Sequence, residues 1–429
     1  MAPARCWILV CACLLAGIAR GEVAVVFSVD AIQGEDWGAQ GISITLQSST
    51  AATASAVVEI QHVDLPGGHG ALHGLMLDCP SLQRDDQAWR CDEGRLRLQE
   101  SPLAAQTASW QGMFQSAGHW SIRIPRLVIG PGSLALTASA QAAGWSMALR
   151  PNLVPVGRID SLIPGGALPA DWGVAGRASG VVELSGQSSD PAHLVADLVI
   201  DQLNYASPDG RQAAENLLLK IGLSGRADGA AWSFDTNLAW PSGAVYSEPL
   251  FLDASQTGLR ASAQGSWRPQ RDILELDAWA VGLADTVRVS GTGRVDLRAS
   301  AIEQLTIVIN SERAGQFYQR LLQPFLIGTA GDDLDASGNL GIVMHFDRSG
   351  VEQAGLELND LQIEDRQGRF AMGPVDGSIA WDRTREVPRS RLQVGGAHLY
   401  RIPLGSFDME AEFAGDQLEL VRPLVIPVL

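Results

Sequence analysis

Lysine is all but missing from this chain of 429 residues: Lys220 stands alone, and arginine carries nearly all the positive charge. With 31 basic against 48 acidic side chains the formal net charge is −17. There is no basic tract to follow a phosphate backbone, and a surface this acidic repels one, which argues against nucleic acid as a partner. Long apolar runs are scarce too. The stretch from Cys6 to Ala19, behind Arg5, falls short of the roughly 20 residues that span a bilayer and suits the core of a secretory signal. Ala19-Arg20-Gly21 then offers small residues at the two positions a signal peptidase reads. Residues 1–21 therefore read as a signal peptide or an N-terminal anchor, and nothing downstream reads as a membrane span.

Cysteine is sparse, five in all, and three of these lie in the N-terminal stretch. Cys79 and Cys91 remain, at the two ends of a polar turn between apolar segments. In an oxidising compartment such a pair reads as a disulfide across a hairpin, contributing on the order of 3 kcal/mol in the loop-entropy picture. The competing reading is zinc, because His69-x-x-x-His73 lies just upstream. His69 sits in the Gly-rich loop Pro66-Gly67-Gly68-His69-Gly70 and there is no Cys-x-x-Cys, so the disulfide is preferred.

Catalytic signatures are missing as well. There is no Gly-x-Ser-x-Gly elbow and no Gly-Lys-Ser/Thr phosphate loop. Gly291-Thr292-Gly293-Arg294 lacks the third glycine of a dinucleotide fingerprint and reads as a hairpin turn. Asp333-Leu334-Asp335 imitates the opening of a calcium loop, but position twelve would be Met344, where a bidentate glutamate is required. The histidines (His62, His69, His73, His119, His193, His345, His398) show no spacing that pairs one with a nucleophile and an orienting acid. Glu183, Glu275 and Glu357 read as members of a solvated strand face, and the twelve tryptophans as sheet packing. The expectation is a non-enzyme with no catalytic residue, metal or cofactor. The 46 glycines, with the alanine and arginine bias, read as a nucleotide-composition effect without functional weight.

What the chain does have is alternation. Trp120, Ile122 and Ile124 alternate with polar residues, as do Leu198 and Ile200, Leu274 and Leu276, Leu305, Ile307 and Ile309, and Leu356 and Leu358. Period-two segments broken by Gly, Pro, Asp, Asn and Ser are the mark of half-buried antiparallel strands. One segment departs from it: Ala314, Phe317, Tyr318, Leu321 and Leu322 fit one helical face. A helix is expected near 312–322, capped by Asn310 or Ser311 and ended by Pro324 followed by Gly328.

The chain also repeats itself. Ala178-Ser179-Gly180 recurs as Ala336-Ser337-Gly338, and at the same offset Leu198 matches Leu356, Leu203 matches Leu361, and Gly210-Arg211 matches Gly368-Arg369. Arg211 to Lys220 looks helical alone, but the second copy carries Gly373-Pro374 there, so both copies read as strand, Gly turn, strand. Stacked repeats bury one continuous apolar face. Finally, Leu424 to Leu429 is apolar to the last residue. Either a longer polypeptide continues or this strand pairs with something else, and the reading favours truncation.

Three stretches carry a family resemblance: Asp201-Gln202-Leu203 through Gly210-Arg211-Gln212-Ala213-Ala214-Glu215-Asn216, the Tyr246-x-x-Pro249-Leu250 motif, and Phe317-Tyr318-Gln319-Arg320-Leu321-Leu322-Gln323-Pro324-Phe325. Over Ser121 to Leu429 the chain resembles the AsmA-like envelope proteins, in particular the YdbH type related to TamB. The resemblance implies a mainly β fold: a long twisted antiparallel sheet curved into an apolar groove. It further implies a place in the periplasm, free or anchored to the inner membrane, with inner- and outer-membrane envelope proteins as partners. In that setting phospholipids would move along the groove between the two membranes.

The expected organisation is residues 1–21 as signal or anchor, and 22–157 as an N-terminal β region holding the Cys79–Cys91 hairpin. The first groove repeat would be 158–315 and the second 316–429. Leu198, Ile200, Leu305, Ile307, Leu356 and Leu358 are the candidate groove residues for acyl chains. The alternative function is an envelope scaffold or glycan-binding β protein that carries no lipid.

Overall fold

A computed structural model describes residues 23–33, 38–48, 53–64, 71–85, 87–100, 106–115, 118–160, 171–187, 190–283, 286–383, 389–414 and 417–428. The expected signal or anchor at 1–21, and His69 with its glycine loop, lie outside the described residues. The chain forms two compact units, residues 1–198 and 199–429.

The first unit is an antiparallel meander. Strand Val23–Gln33 pairs with Gly38–Ser48, that with Thr53–Asp64, and so on through Ala71–Arg84, Ala88–Glu100 and Gln106–Gln115. The same order continues through Trp120–Ile129, Gly132–Gln141, Gly144–Asn152 and Ala175–Gln187. Among the described residues, Val23–Gln33 pairs with no strand beyond its hairpin partner, so this meander does not close into a barrel.

Cys79 and Cys91 form the disulfide. The ladder between their strands is interrupted from Asp78/Arg95 to Leu82/Cys91, and the bridge fills that interruption. Both sulfurs are buried with Leu96, Leu98, Ala108, Trp110 and Leu127. Zinc thiolates at these two positions are thereby excluded. The Trp110 indole reaches this cluster only because Gly94 and Gly112 have no side chains. A Cβ on Gly94 would lie 2.3 Å from the ring, and one on Gly112 2.6 Å.

The second unit is also an open antiparallel sheet. Gln212–Asp228 pairs with Ala231–Ser247, then follow Leu259–Arg268, Ile273–Leu283, Val287–Asp296 and Ala301–Ser311. Leu334–Asp347, Gly350–Asp365 and Phe370–Asp382 complete the main run. Gln212–Asp228 covers most of the segment whose composition looks helical, as the repeat argument requires. Gly291 to Arg294 lies inside strand Val287–Asp296, so the expected hairpin turn is corrected: alternate glycines face one side of a continuous strand.

The expected helix exists, with shifted ends. It runs as Ala314–Phe317, a π-helical turn Tyr318–Leu322, and Gln323–Leu326. Ser311 ends the preceding strand, donating to the Thr286 carbonyl at 2.7 Å, and Arg313 occupies the N-cap. Pro324 does not end the helix. The residue before it, Gln323, donates its backbone N–H to the Tyr318 carbonyl, five residues back, and this wider turn precedes the ring without an interior break. Two shorter helical turns, Val156–Asp160 and Ala254–Thr257, went unsuspected.

The repeat is visible as repeated irregularities. Gln202 and Asp360, one repeat apart, both have φ near +51°, and Gly210 and Gly368 both have φ +70°. Leu203 and Leu361 are both buried. In each copy a glycine N–H closes the following turn, Gly210 onto Ser207 at 3.0 Å and Gly368 onto Asp365 at 2.8 Å. The arginine carbonyl after it accepts a backbone N–H in both, Arg211 from Glu248 and Arg369 from Tyr400.

Asp365 is fully buried at its turn. The Arg369 guanidinium donates to it through Nε at 2.9 Å and Nη2 at 2.7 Å, and holds the carboxyl down at about 2. A depressed carboxyl stabilises the fold above its ordinary value of 3.8, and that contribution is lost as pH falls from there through about 2. Urea midpoints measured down this range should drop for the wild type, and Asp365→Asn, already less stable at neutral pH, should show a smaller drop. Reduction of the Cys79–Cys91 bridge should lower unfolding free energy by about 3 kcal/mol, read as a shift between oxidised and reduced urea curves.

Candidate functional site

Register brings the apolar residues of the second unit into rows. One row starts Ile221, Leu238, Ala261, passes Val281, Val289 and Ile309, and ends Ile342, Leu356, Ile379. The next starts Leu223, Thr236, Ala263, passes Trp279, Gly291 and Ile307, and ends Met344, Ala354, Trp381. A third, shorter row includes Phe234, Leu276, Leu305 and Phe346. Opposed residues in an antiparallel ladder point to one side, so these rows share a face. The hydroxyl in the two long rows, that of Thr236, donates to the Gly222 carbonyl at 3.1 Å.

A bulge keeps the face continuous. In strand Ile273–Leu283 the apolar positions change parity, from Leu274 and Leu276 to Trp279 and Val281. The ladder shifts between Gln264 and Gly265 on one side and between Leu276 and Trp279 on the other, and Asp277 and Ala278 are left exposed. Without that extra residue half the strand would turn its apolar side chains the other way.

Charge is kept to the opposite face. Glu275 meets Arg268 at 2.9 Å and Arg294 at 2.8 Å, and Gln264 donates to Asp235 at 2.6 Å. Glu303 accepts from Arg348 and Arg294, which lower its carboxyl below the ordinary value. Asp333 and Asp335, the calcium-like pair, share Arg366 at 3.5 and 2.7 Å. Among the described residues no three His, Cys, Asp or Glu side chains are grouped to hold a metal ion.

Every member of the two long rows is half-buried. A covering layer would bring such side chains to the few per cent exposure of Leu358 (7%) and Val375 (2%). The largest of the fully buried side chains in the described residues are Val375, Asp365, Asp382, Cys79, Cys91 and Ser390, with no Leu, Ile, Phe or Trp among them. Among the described residues the helix covers the face at one end. There Phe317 of the helix packs with Leu283 and Val287, and Ala314 with Leu358, Leu361 and Val375.

Of the candidate groove residues, Leu305, Ile307 and Leu356 lie in these rows. Leu358 is opposite Leu340 on the same face, in the cluster beneath the helix. Leu198 and Ile200 are half-buried on one side of strand Asp190–Ala206, where the division between the units falls.

The glycines carry more than composition. Gly291 faces Trp279, whose ring would stand 3.0 Å from a Cβ there, and the Thr306 carbonyl only 1.9 Å away. Large side chains thus lie flat across glycine positions, which single-residue periodicity does not reveal.

No family model matches the chain, and no curated protein matches it. Among the described residues no helix is long and apolar enough to cross a membrane.

Gly291→Ala should destabilise the protein by about 1–3 kcal/mol. Gly355→Ala, where a Cβ meets nothing within 4 Å, should be near neutral, and paired urea titrations read the contrast.

Proposed function

We propose that this chain is an exported, non-enzymatic protein of the bacterial cell envelope that holds phospholipid acyl chains against its apolar β face and moves lipid between the inner and outer membranes. The observation that carries the reading is the pair of nine-strand rows, apolar but for Thr236, whose hydroxyl is satisfied by the Gly222 carbonyl, and half-buried among the described residues. A face of this kind is costly in water unless something apolar lies on it. An acyl chain gains about 0.8 kcal/mol for each CH₂ it buries while its headgroup stays in solvent. The rows offer no charged group to hold one position above another, so movement along them is diffusion between similar sites and needs no reacting residue.

The disulfide supports an oxidising compartment such as the periplasm. The resemblance to the AsmA-like proteins of the YdbH type supports the lipid as cargo and envelope proteins of both membranes as partners. Curvature of the sheet into a groove belongs to the same reading.

Native mass spectrometry with lipid extraction, on protein purified from periplasm, tests it. Phospholipid should co-purify, and Ile307→Asp or Leu356→Asp should cut bound lipid at least tenfold in a protein that stays folded. Glu357→Gln, on the opposite face, should leave it unchanged. A folded, lipid-free wild type that also fails to take up a fluorescent phospholipid would overturn the conduit and leave the envelope scaffold.

A further inference from the structure

In the first unit, two histidines eleven residues apart are opposed in register, His62 on strand Thr53–Asp64 and His73 on strand Ala71–Arg84. Their Nδ1 atoms are 3.0 Å apart, with ring centroids at 4.6 Å and planes tilted by 49°. The other nitrogen of His62, Nε2, lies 2.8 Å from Asp64 Oδ1. That carboxylate accepts the Nε2 proton and so leaves the Nδ1 lone pair of His62 bare on the side facing His73. Without an ion, the proton on His73 Nδ1 fills the gap as a hydrogen bond.

This is the arrangement of a metal-binding imidazole: one nitrogen directed at the ion, the other held by a carboxylate. We propose that His62 and His73 form a two-nitrogen site for one divalent transition-metal ion of the imidazole-preferring kind, with Asp64 as outer carboxylate and solvent completing the coordination. Bonds of 2.0–2.1 Å put two neighbouring nitrogens about 2.9 Å apart in a square-planar ion and about 3.3 Å apart in a tetrahedral one. The observed 3.0 Å falls between them. The strands therefore hold their places, and a small rotation of the two rings turns both lone pairs onto one point. Binding displaces the shared proton from His73 Nδ1 while Nε2 of the same ring takes one up from solvent, so both imidazoles stay neutral and no net proton is released.

The surroundings favour a cation. Asp64 is on the spot, its Oδ1 2.8 Å from His62 Nε2. The His62 side chain is 29% exposed, enough for an ion to enter. This ligand set differs from the zinc reading of the sequence, since Cys79 and Cys91 are bonded to each other.

The full mature protein, stripped with chelator, is titrated calorimetrically with Zn²⁺ and with Cu²⁺, and the copper form is examined by electron paramagnetic resonance. One ion per chain is expected, copper binding tighter than zinc, with coupling to two nitrogens. His62→Gln and His73→Gln should each weaken binding at least tenfold, and Asp64→Asn about tenfold while keeping the two-nitrogen pattern. Urea midpoints show that the variants remain folded. Absence of saturable binding, or affinity unchanged by both glutamine variants, would overturn the site. Should either variant unfold, the wild-type spectrum decides: coupling to fewer than two nitrogens overturns it.

Discussion

Register is the constraint on which the second unit depends. A strand two-sided in chemistry helps its neighbours only if the apolar side lands on the same face in each, and nine strands meet that condition. Backbone hydrogen bonds alone accept any register. The selection comes from the side chains: Ile309 against Val289 and Ile342, Ile307 against Gly291 and Met344. Ion pairs such as Glu275 with Arg268 and Arg294 then favour the same pairing from the wet face. Their partial exposure limits them to a modest contribution, so they select alignment more than they add stability.

A sheet without a covering layer distributes its stability along its length. Among the described residues, packed places include the Cys79–Cys91 cluster with Trp110 and the two clusters beneath the helix. Each pins a region where the ladder is broken or a connection leaves the sheet. The buried Asp365 belongs with them, because its bonds to Arg369 fix a turn at which the strand direction reverses.

Much of this was legible in the chain, and the reason is distance along it. Alternation at Leu305, Ile307 and Ile309 is a property of neighbours two residues apart, and it identified the strands. The bridge between Cys79 and Cys91 and the helix at Ala314 were local too. The helix ends were not, since Ser311 is drawn into the sheet by the Thr286 carbonyl and a π-helical turn accommodates Pro324. The glycines at 291 and 293 were misread because their meaning lies with Trp279 and Leu305 on other strands. The His62–His73 contact was invisible for the same reason. His62 has no motif around it, His73 has only the His69-x-x-x-His73 spacing, and the strand pairing alone joins the two.

The bulge at Asp277 and Ala278 has a consequence for how such a chain can change over generations. It works as a frame correction, restoring phase after the apolar pattern of strand Ile273–Leu283 slips by one. Substitutions on either face alter one place and leave the phase alone. Loss or gain of one residue within a strand throws every later side chain in it to the wrong side, unless a second change nearby restores the count. Lineages of this sheet are therefore expected to drift freely in letters, conserve strand phase, and grow or shrink by whole hairpins.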